Sequence, residues 1–134
     1  MKKVLFILLS SIVIFSFFSC SNAGTLTLAE YSAISQEKDA DGIVTVTCDV
    51  RLSNKTAEPI RCRMIAVYSG TFNKGLFLND QAVACKQDSL EDEIFTFEPH
   101  TEYELTVYFK GESGGTETLF AAPDDIIFHI LPAE

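Results

Sequence analysis

The segment from Val44 to Leu52 alternates apolar and polar residues, and this pattern constrains the fold more than any other feature of the chain. One set of positions is apolar: Val44, Val46, Cys48, Val50 and Leu52. The positions between them are polar: Thr45, Thr47, Asp49 and Arg51. Successive side chains of a β-strand point to opposite faces of a sheet, so a period of two predicts a strand with one buried face.

Other short segments follow the same pattern, and no stretch has the periodicity of an amphipathic helix of useful length. Tyr103–Lys110 alternates as cleanly as the first segment. Ile60–Ser69 carries Ile65 and Val67 on its otherwise polar face, which predicts that part of this strand is covered on both sides. Further strands are predicted over residues 82–86, 94–97, 116–121 and 126–131. About seven to nine short strands separated by turn signals predict an all-β, immunoglobulin-like antiparallel β-sandwich.

The first nineteen residues differ in composition from the rest. Met1-Lys2-Lys3 is a positive n-region, and the apolar or small-residue run from Val4 to Phe18 is shorter than the roughly twenty residues of a membrane span. This layout is typical of a cleaved signal peptide. Phe17-Phe18-Ser19-Cys20 resembles the lipobox of bacterial lipoprotein precursors, although Phe17 stands where that family usually has leucine.

The lipobox resemblance implies cleavage before Cys20 and lipidation of its thiol with acyl chains such as palmitate. The alternative is ordinary secretion with a coincidental cysteine near the cleavage site. The predicted organisation is a signal peptide over residues 1–19, a lipidated N-terminus and short tether over 20–24, and the β-sandwich domain over 25–134. The predicted location is the cell envelope, and the outer membrane is favoured in a Gram-negative organism because no aspartate follows Cys20.

Charge excludes one class of partner. Removal of residues 1–19 takes away Lys2 and Lys3, so the formal net charge changes from −9 to −11. A phosphate-binding surface needs a basic stripe, and the sequence therefore predicts no binding to nucleic acid.

The stretch Phe97–Val107 resembles the corner between strands E and F of fibronectin type III domains. That family has an apolar residue, a proline two positions later and then Thr-x-Tyr, which Phe97, Pro99, Thr101 and Tyr103 match here. The resemblance implies that the hydroxyl of Tyr103 bonds back to the backbone and fixes the crossing between sheets. It implies sandwich topology near this corner and no function, and the chain departs from the family in having no tryptophan.

Three cysteines follow Cys20. Cys48 and Cys62 lie on the inward faces of consecutive predicted strands, where they either form a disulfide or remain small buried thiols, with Cys85 as a third thiol. No CxxC spacing is present, so neither a redox motif nor a zinc knuckle is predicted.

No catalytic, cofactor-binding or metal-binding constellation is predicted. His100 and His129 lack a nucleophile context, so an exposed histidine and a strand-face histidine are expected. Glu37–Gly42 imitates the start of an EF-hand loop, but position twelve of that loop falls on Cys48 where a glutamate is required, and Asp41-Gly42 favours a hairpin turn. The carboxylates of residues 88–93 are expected in a solvated acidic loop.

Two tripeptides and one pair of phenylalanines carry further hypotheses. Asn54-Lys55-Thr56 matches an N-glycan sequon, and Asp88-Ser89-Leu90 resembles the O-glycan acceptor of Bacteroidetes exported proteins, which places the acceptor hydroxyl at Ser89. Phe72 and Phe77 flank Gly75 in a long loop and are expected to be buried against the end of the sandwich rather than to bind a partner.

These observations favour a lipid-anchored protein of the cell envelope that acts as a non-catalytic binding module. The expected partners are the membrane, through the lipid on Cys20, and an unidentified protein or glycan. The alternative is an envelope inhibitor of a basic exogenous hydrolase, which the anionic loops would attract through electrostatic steering. Neither function requires a cofactor.

Overall fold

A computed structural model describes residues 26–70, 74–115 and 122–132. These residues form seven antiparallel strands, and no helix occurs among them, which confirms the predicted all-β fold. The strands are β1 (Leu26–Lys38), β2 (Ile43–Asn54), β3 (Ile60–Val67), β4 (Gln81–Cys85), β5 (Phe95–Phe97), β6 (Thr101–Glu112) and β7 (Asp125–Ile130). Within the described ranges, no helix is long and apolar enough to cross a membrane. The predicted strand over residues 116–121 lies outside the described residues.

The strands form one continuous sheet that folds over a shared core like a sandwich. The strand order is β1-β2-β6-β4-β3-β5, and β7 pairs with the other edge of β3. β4 connects the two halves because its first residues pair with β3 and its last residues pair with β6, with Val83 opposite both Ile65 and Lys110.

β2 and β6 are paired along the whole of β2, from Ile43 opposite Glu112 to Asn54 opposite Thr101. This register places apolar residues of the two strands side by side, such as Val46 with Phe109. The alternating residues of β2 are buried as the sequence predicts, because residues opposite each other in antiparallel strands lie on the same face of the sheet.

The core is a single cluster to which every strand contributes. Its largest fully buried apolar or aromatic side chains are Tyr68, Phe77, Phe97, Phe109, Leu52 and Met64. Phe77 is 1% exposed, so its predicted burial is confirmed, whereas Phe72 lies outside the described residues.

β1 is a thirteen-residue edge strand that the sequence pattern does not reveal. Its register with β2 shifts by one residue between Leu28 and Glu30 and again between Ala33 and Ser35, so Ala29 and Ile34 are bulges. Each bulge moves the inward positions by one residue and breaks the period of two. Bulges also twist an edge strand and discourage pairing with other chains.

The turn between β1 and β2 is the predicted hairpin turn. The carboxylate Oδ1 of Asp39 accepts hydrogen bonds from the backbone N–H groups of Asp41 at 2.9 Å and Ile43 at 3.0 Å. Gly42 has a φ of 82°, a left-handed conformation that glycine adopts without strain. Asp39 therefore serves the turn, and the resemblance of this segment to an EF-hand loop has no structural counterpart.

The outer face of β3 is only partly covered. Ile65 and Val67 were expected to be covered on both sides, but they are half-buried, and Ile127 beside Ile65 on β7 is 40% exposed. The apolar side chains of this outer face belong to a surface that no described strand covers.

The corner before β6 contains a tyrosine whose hydroxyl is hydrogen-bonded to the backbone. The hydroxyl of Tyr103 accepts a hydrogen bond of 2.8 Å from the backbone N–H of Glu98, and its ring packs edge-on against Phe97 with centroids 4.9 Å apart. His100 in the same corner has a φ of 55°, in the left-handed region that costs a non-glycine residue free energy. The hydroxyl and the ring of Tyr103 together hold this strained corner against the core.

Tyr68 differs from Tyr103 because its hydroxyl is buried without a hydrogen-bond partner. The residue is 0% exposed, and its ring lies 5.1 Å from that of Phe77. Burial, together with the nearby Cys48 and Asp124, raises the pKa of Tyr68. A buried hydroxyl that loses its water without gaining a partner lowers stability.

The two tyrosines should therefore respond oppositely to removal of the hydroxyl. We expect Tyr68→Phe to raise the free energy of unfolding by about 1 kcal/mol, and Tyr103→Phe to lower it by about 1 kcal/mol. Urea denaturation followed by circular dichroism measures both changes. A loss of stability in Tyr68→Phe would show that the hydroxyl has a partner in solution.

Candidate functional site

The connection between β4 and β5, residues 86–94, is an acidic loop held in one conformation by hydrogen bonds. The backbone N–H of Lys86 donates to the carbonyl of Glu91 at 3.0 Å, and the N–H of Glu93 donates to Ala84 at 2.9 Å. Lys110, which comes from β6, donates from Nζ to the carbonyls of Gln87 at 2.7 Å and Ser89 at 2.8 Å. The 86–94 loop is solvated as predicted, but it is more ordered by contacts than its composition indicates.

The 86–94 loop presents apolar side chains among its carboxylates. Leu90 is 59% exposed and Ile94 is 43% exposed. Ser89 is also exposed, and its Oγ accepts a hydrogen bond from the N–H of Glu91 at 3.1 Å. Single exposed leucines are common, but here two aliphatic side chains project from one loop that is fixed in place.

Beside this loop lies a partly apolar and partly basic surface, the β3–β7 face. It consists of the outward side chains of β3 and β7 together with Val83 of β4: Arg61, Arg63, Ile65, Val67, Val83, Asp125, Ile127 and His129. The register places Ile65 between Val83 and Ile127, and Arg63 beside His129. Val83, Ile65 and Ile127 therefore form an aliphatic row, and the cationic row of Arg61 and Arg63 lies next to it.

Arg63 joins the β3–β7 face to the 86–94 loop. Its Nε lies 3.3 Å from Oδ2 of Asp92, with about a third of the Arg63 side chain exposed. Nε is buried, and no hydrogen bond satisfies it. A guanidinium group has five N–H donors, so this ion pair leaves Arg63 with donor capacity to spare.

The outer face of the other half of the sandwich has the opposite charge balance. Arg51 lies 3.0 Å from Glu30 and 3.4 Å from Glu104, and all three side chains are at least half exposed. Exposed ion pairs of this kind contribute little to stability. Two acidic side chains contact the arginine on this face, whereas on the β3–β7 face two arginines, Arg61 and Arg63, are neighbours and one of them contacts Asp92.

A shallow depression of about 240 Å³ lies near the corner before β6 and is lined by Ser53, Asn54, Lys55, His100, Thr101 and Glu102. Asn54 is 0% exposed. Its Nδ2 donates to the carbonyls of Glu58 at 2.8 Å and Phe97 at 2.9 Å, and its Oδ1 accepts from the N–H and the hydroxyl of Thr56 at 2.9 and 2.7 Å. Both the nitrogen and the oxygen of the Asn54 side-chain amide are therefore hydrogen-bonded within the fold.

These hydrogen bonds determine whether Asn54 in the Asn54-Lys55-Thr56 sequon can accept a glycan. A glycosyl acceptor needs an accessible amide nitrogen, but both hydrogens of Nδ2 are committed to carbonyls inside the fold. The asparagine and threonine form a turn motif in which the side chain of Asn54 satisfies the backbone after β2. The folded chain therefore does not offer Asn54 for glycosylation.

The three described cysteines are free buried thiols. Cys48 and Cys62 are each 0% exposed, and the disulfide that the sequence left open is not present. Burial raises the pKa of each thiol to about 12, and at Cys48 the carboxylate of Asp49 adds to the shift. Burial and the carboxylate of Asp92 also raise the pKa of Cys85, against an opposing effect of Lys110.

The remaining predicted residues do not converge on a reactive centre. His100 lies in the corner before β6, and His129 is exposed on β7 opposite Arg63. Among residues 26–70, 74–115 and 122–132, no group of three or more His, Cys, Asp or Glu side chains could hold a metal ion. Cys20 lies outside the described residues, so the structure places no constraint on its lipidation.

Comparison with protein-family models, with curated protein sequences and with solved structures found no match to this chain.

The buried thiols should react slowly in the folded chain. At pH 8 a thiol with a pKa of about 12 is about 0.01% thiolate, roughly a thousandfold less than in an unfolded chain with a pKa of 9.0. We therefore expect Cys48 and Cys62 to be labelled by iodoacetamide at least about a thousandfold faster in urea than in buffer. Peptide mapping by mass spectrometry identifies each site, and fast labelling of folded Cys48 would contradict its burial.

The same pKa shifts predict how stability depends on pH. Between pH 9 and pH 12 the two thiols remain protonated in the folded chain but ionise in the unfolded chain, whose thiol pKa is 9.0. The protonated thiols therefore make their full contribution to the free energy of unfolding below pH 9, and that contribution is lost as the pH rises towards 12. Urea denaturation at pH 8 and pH 10.5 should show lower stability at the higher pH. Cys62→Ala should reduce that difference, apart from its separate packing cost.

Asn54 provides a stability test. We expect Asn54→Asp to lower the free energy of unfolding by at least about 2 kcal/mol, because it removes both donors and places a carboxylate against two carbonyls. Lys55→Ala, next in the sequence and exposed, is the matched control and should change stability by less than about 0.5 kcal/mol. Equal effects in the two variants would contradict a structural role for the Asn54 amide.

Proposed function

We propose that this chain is a lipid-anchored protein of the cell envelope whose β-sandwich domain acts by binding rather than by catalysis. The anchor rests on the signal-peptide layout and on the lipobox-like residues that end at Cys20. One acyl chain holds a protein only marginally on a membrane, whereas two or more hold it durably. A cysteine that carries several acyl chains would therefore retain the domain in the envelope.

The observation that most favours binding is the adjoining pair of surfaces formed by the 86–94 loop and the β3–β7 face. The loop projects Leu90 at 59% exposure from a backbone fixed by Lys110. A surface held in its bound conformation loses less conformational entropy on association. The ion pair of Arg63 with Asp92 connects the loop that carries Leu90 to an aliphatic and cationic face. Such a surface supports a protein partner more strongly than a glycan.

Inhibition of a basic exogenous hydrolase is the alternative proposal. The order of the 86–94 loop favours it, since a rigid acidic loop suits the cationic surface of such an enzyme. Recovery of a hydrolase with the tagged chain from envelope extracts, with loss of its activity on addition of the chain, would favour this alternative. Recovery of a non-enzymatic envelope protein would favour the binding module.

Lipid anchoring is tested at Cys20. We expect Cys20→Ser to abolish incorporation of labelled palmitate and to release the chain from the membrane fraction, because the substitution removes the thiol that carries the lipid. Cys85→Ser is the matched control and should retain both properties. A wild-type chain whose mature N-terminus is unmodified and begins after Cys20 would contradict the anchor.

A further inference from the structure

We infer that the partner of the surface formed by the 86–94 loop and the β3–β7 face is a second copy of this chain. The two contacts are reciprocal: the loop of each copy lies on the β3–β7 face of the other. This inference names one partner for the proposed binding module and rests on its non-catalytic binding role. It does not depend on the lipid anchor.

Chemical complementarity within one molecule is the first argument. The 86–94 loop carries four carboxylates, at Asp88, Glu91, Asp92 and Glu93, and its exposed aliphatic residues are Leu90 and Ile94. The β3–β7 face offers the aliphatic row of Val83, Ile65 and Ile127 for the leucine and the cationic row of Arg61 and Arg63 for the carboxylates, and its one acid, Asp125, lies at the far end opposite Val67. A partner for this face must present an aliphatic side chain next to acidic groups, and the chain itself has a segment of that composition.

Charge restricts which contacts between two copies are favourable. The chain has a formal net charge of −9, so random encounters between copies are repulsive. A stable contact must bring basic groups of one copy to acidic groups of the other. Arg61 and Arg63 lie on the β3–β7 face next to the 86–94 loop, where Arg63 contacts Asp92, and on the opposite half of the sandwich Arg51 contacts Glu30 and Glu104.

The loop and the β3–β7 face are continuous, which allows two copies to form a closed two-fold dimer. In a two-fold dimer the same patch of both copies forms the interface, so loop and face must belong to one patch. The ion pair of Arg63 with Asp92 at 3.3 Å and the β-bridge between Cys85 and Asp92 bring them together. A reciprocal arrangement buries both leucines and forms each cation–carboxylate contact twice.

Order in the loop lowers the entropic cost of this association. Lys110 holds the backbone carbonyls of Gln87 and Ser89, while Lys86 Nζ lies 3.1 Å from Glu91. Leu90 therefore projects from a fixed turn rather than from a mobile one. Confinement of both copies to one membrane would further raise their effective concentration.

Cross-linking between two different variants tests the contact. One tagged full chain carries Leu90→Cys and a second, with a tag of different size, carries Ile127→Cys; both are expressed together and oxidised in the envelope with copper phenanthroline. We expect a disulfide-linked heterodimer because each Leu90 lies against the face that contains Ile127. Cysteines native to the described residues are buried and give a low background.

The matched control uses exposed aliphatic residues outside the proposed interface. Leu78 is 58% exposed and Ile34 is 52% exposed, so Leu78→Cys with Ile34→Cys reports random collision. We expect the heterodimer yield of the 90/127 pair to exceed that of the 78/34 pair by about tenfold or more. Equal yields would overturn the inference, as would cross-linking of Leu90→Cys to a protein of another mass in place of this chain.

Charge reversal at the face provides a second readout. Adding Arg63→Glu to the Ile127→Cys chain should reduce the heterodimer to the collision level, and Arg63→Lys should retain most of it. Circular dichroism of the Arg63→Glu chain verifies its fold. A folded Arg63→Glu chain that cross-links like its parent would overturn the role of the cationic row. Membrane fractionation of the same cells measures anchoring separately, so loss of the anchor and loss of self-association are distinguishable.

Discussion

The double pairing of β4 is the constraint on which the rest of the structure depends. This strand has only five residues, yet it hydrogen-bonds to β3 at one end and to β6 at the other. It therefore brings the two halves of the sheet over a common core. Its inward residues, Ala82 and Ala84, are small and at most 2% exposed, which lets the larger side chains of Phe109 and Met64 fill the interior. The same strand leads directly into the 86–94 loop, and so the fold fixes the position of that loop.

The sequence pattern predicts the strands in which apolar and polar residues alternate without interruption. It misses β1, in which the alternation is interrupted. β2 and β6 have uninterrupted registers, and their buried apolar residues follow the period of two. β1 is as long as either, but the bulges at Ala29 and Ile34 shift its inward positions twice. A search for a period of two cannot detect such a strand unless the strand with which it pairs is known. Pairing with β2 is the information that the local sequence lacks.

The candidate site shows the same division between local and distant information. The acidic composition of residues 88–93 predicts a solvated loop, and the loop is solvated. Its order depends on Lys110, which lies about twenty residues away in sequence on β6. Similarly, the sequon at Asn54 is a local match, but the carbonyl of Phe97 that occupies its amide comes from β5. The cover predicted over Ile65 and Val67 is only partial, because apolar residues on a strand face indicate burial without indicating how complete it is.

The proposed lipid anchor and the inferred self-association impose a common geometric condition. Leu26 begins β1 opposite Asn54, at the end of the sandwich where β6 starts, and Cys20 precedes Leu26 by only six residues. A chain of that length reaches at most about 20 Å. With the proposed anchor at Cys20, two copies in one membrane would present the same end to it, which requires a two-fold axis close to the membrane normal. The β3–β7 face lies on the side of the sandwich and its strands run between the two ends, so a side-by-side dimer through this face satisfies the condition, whereas a contact through the turn at Gly42 would not.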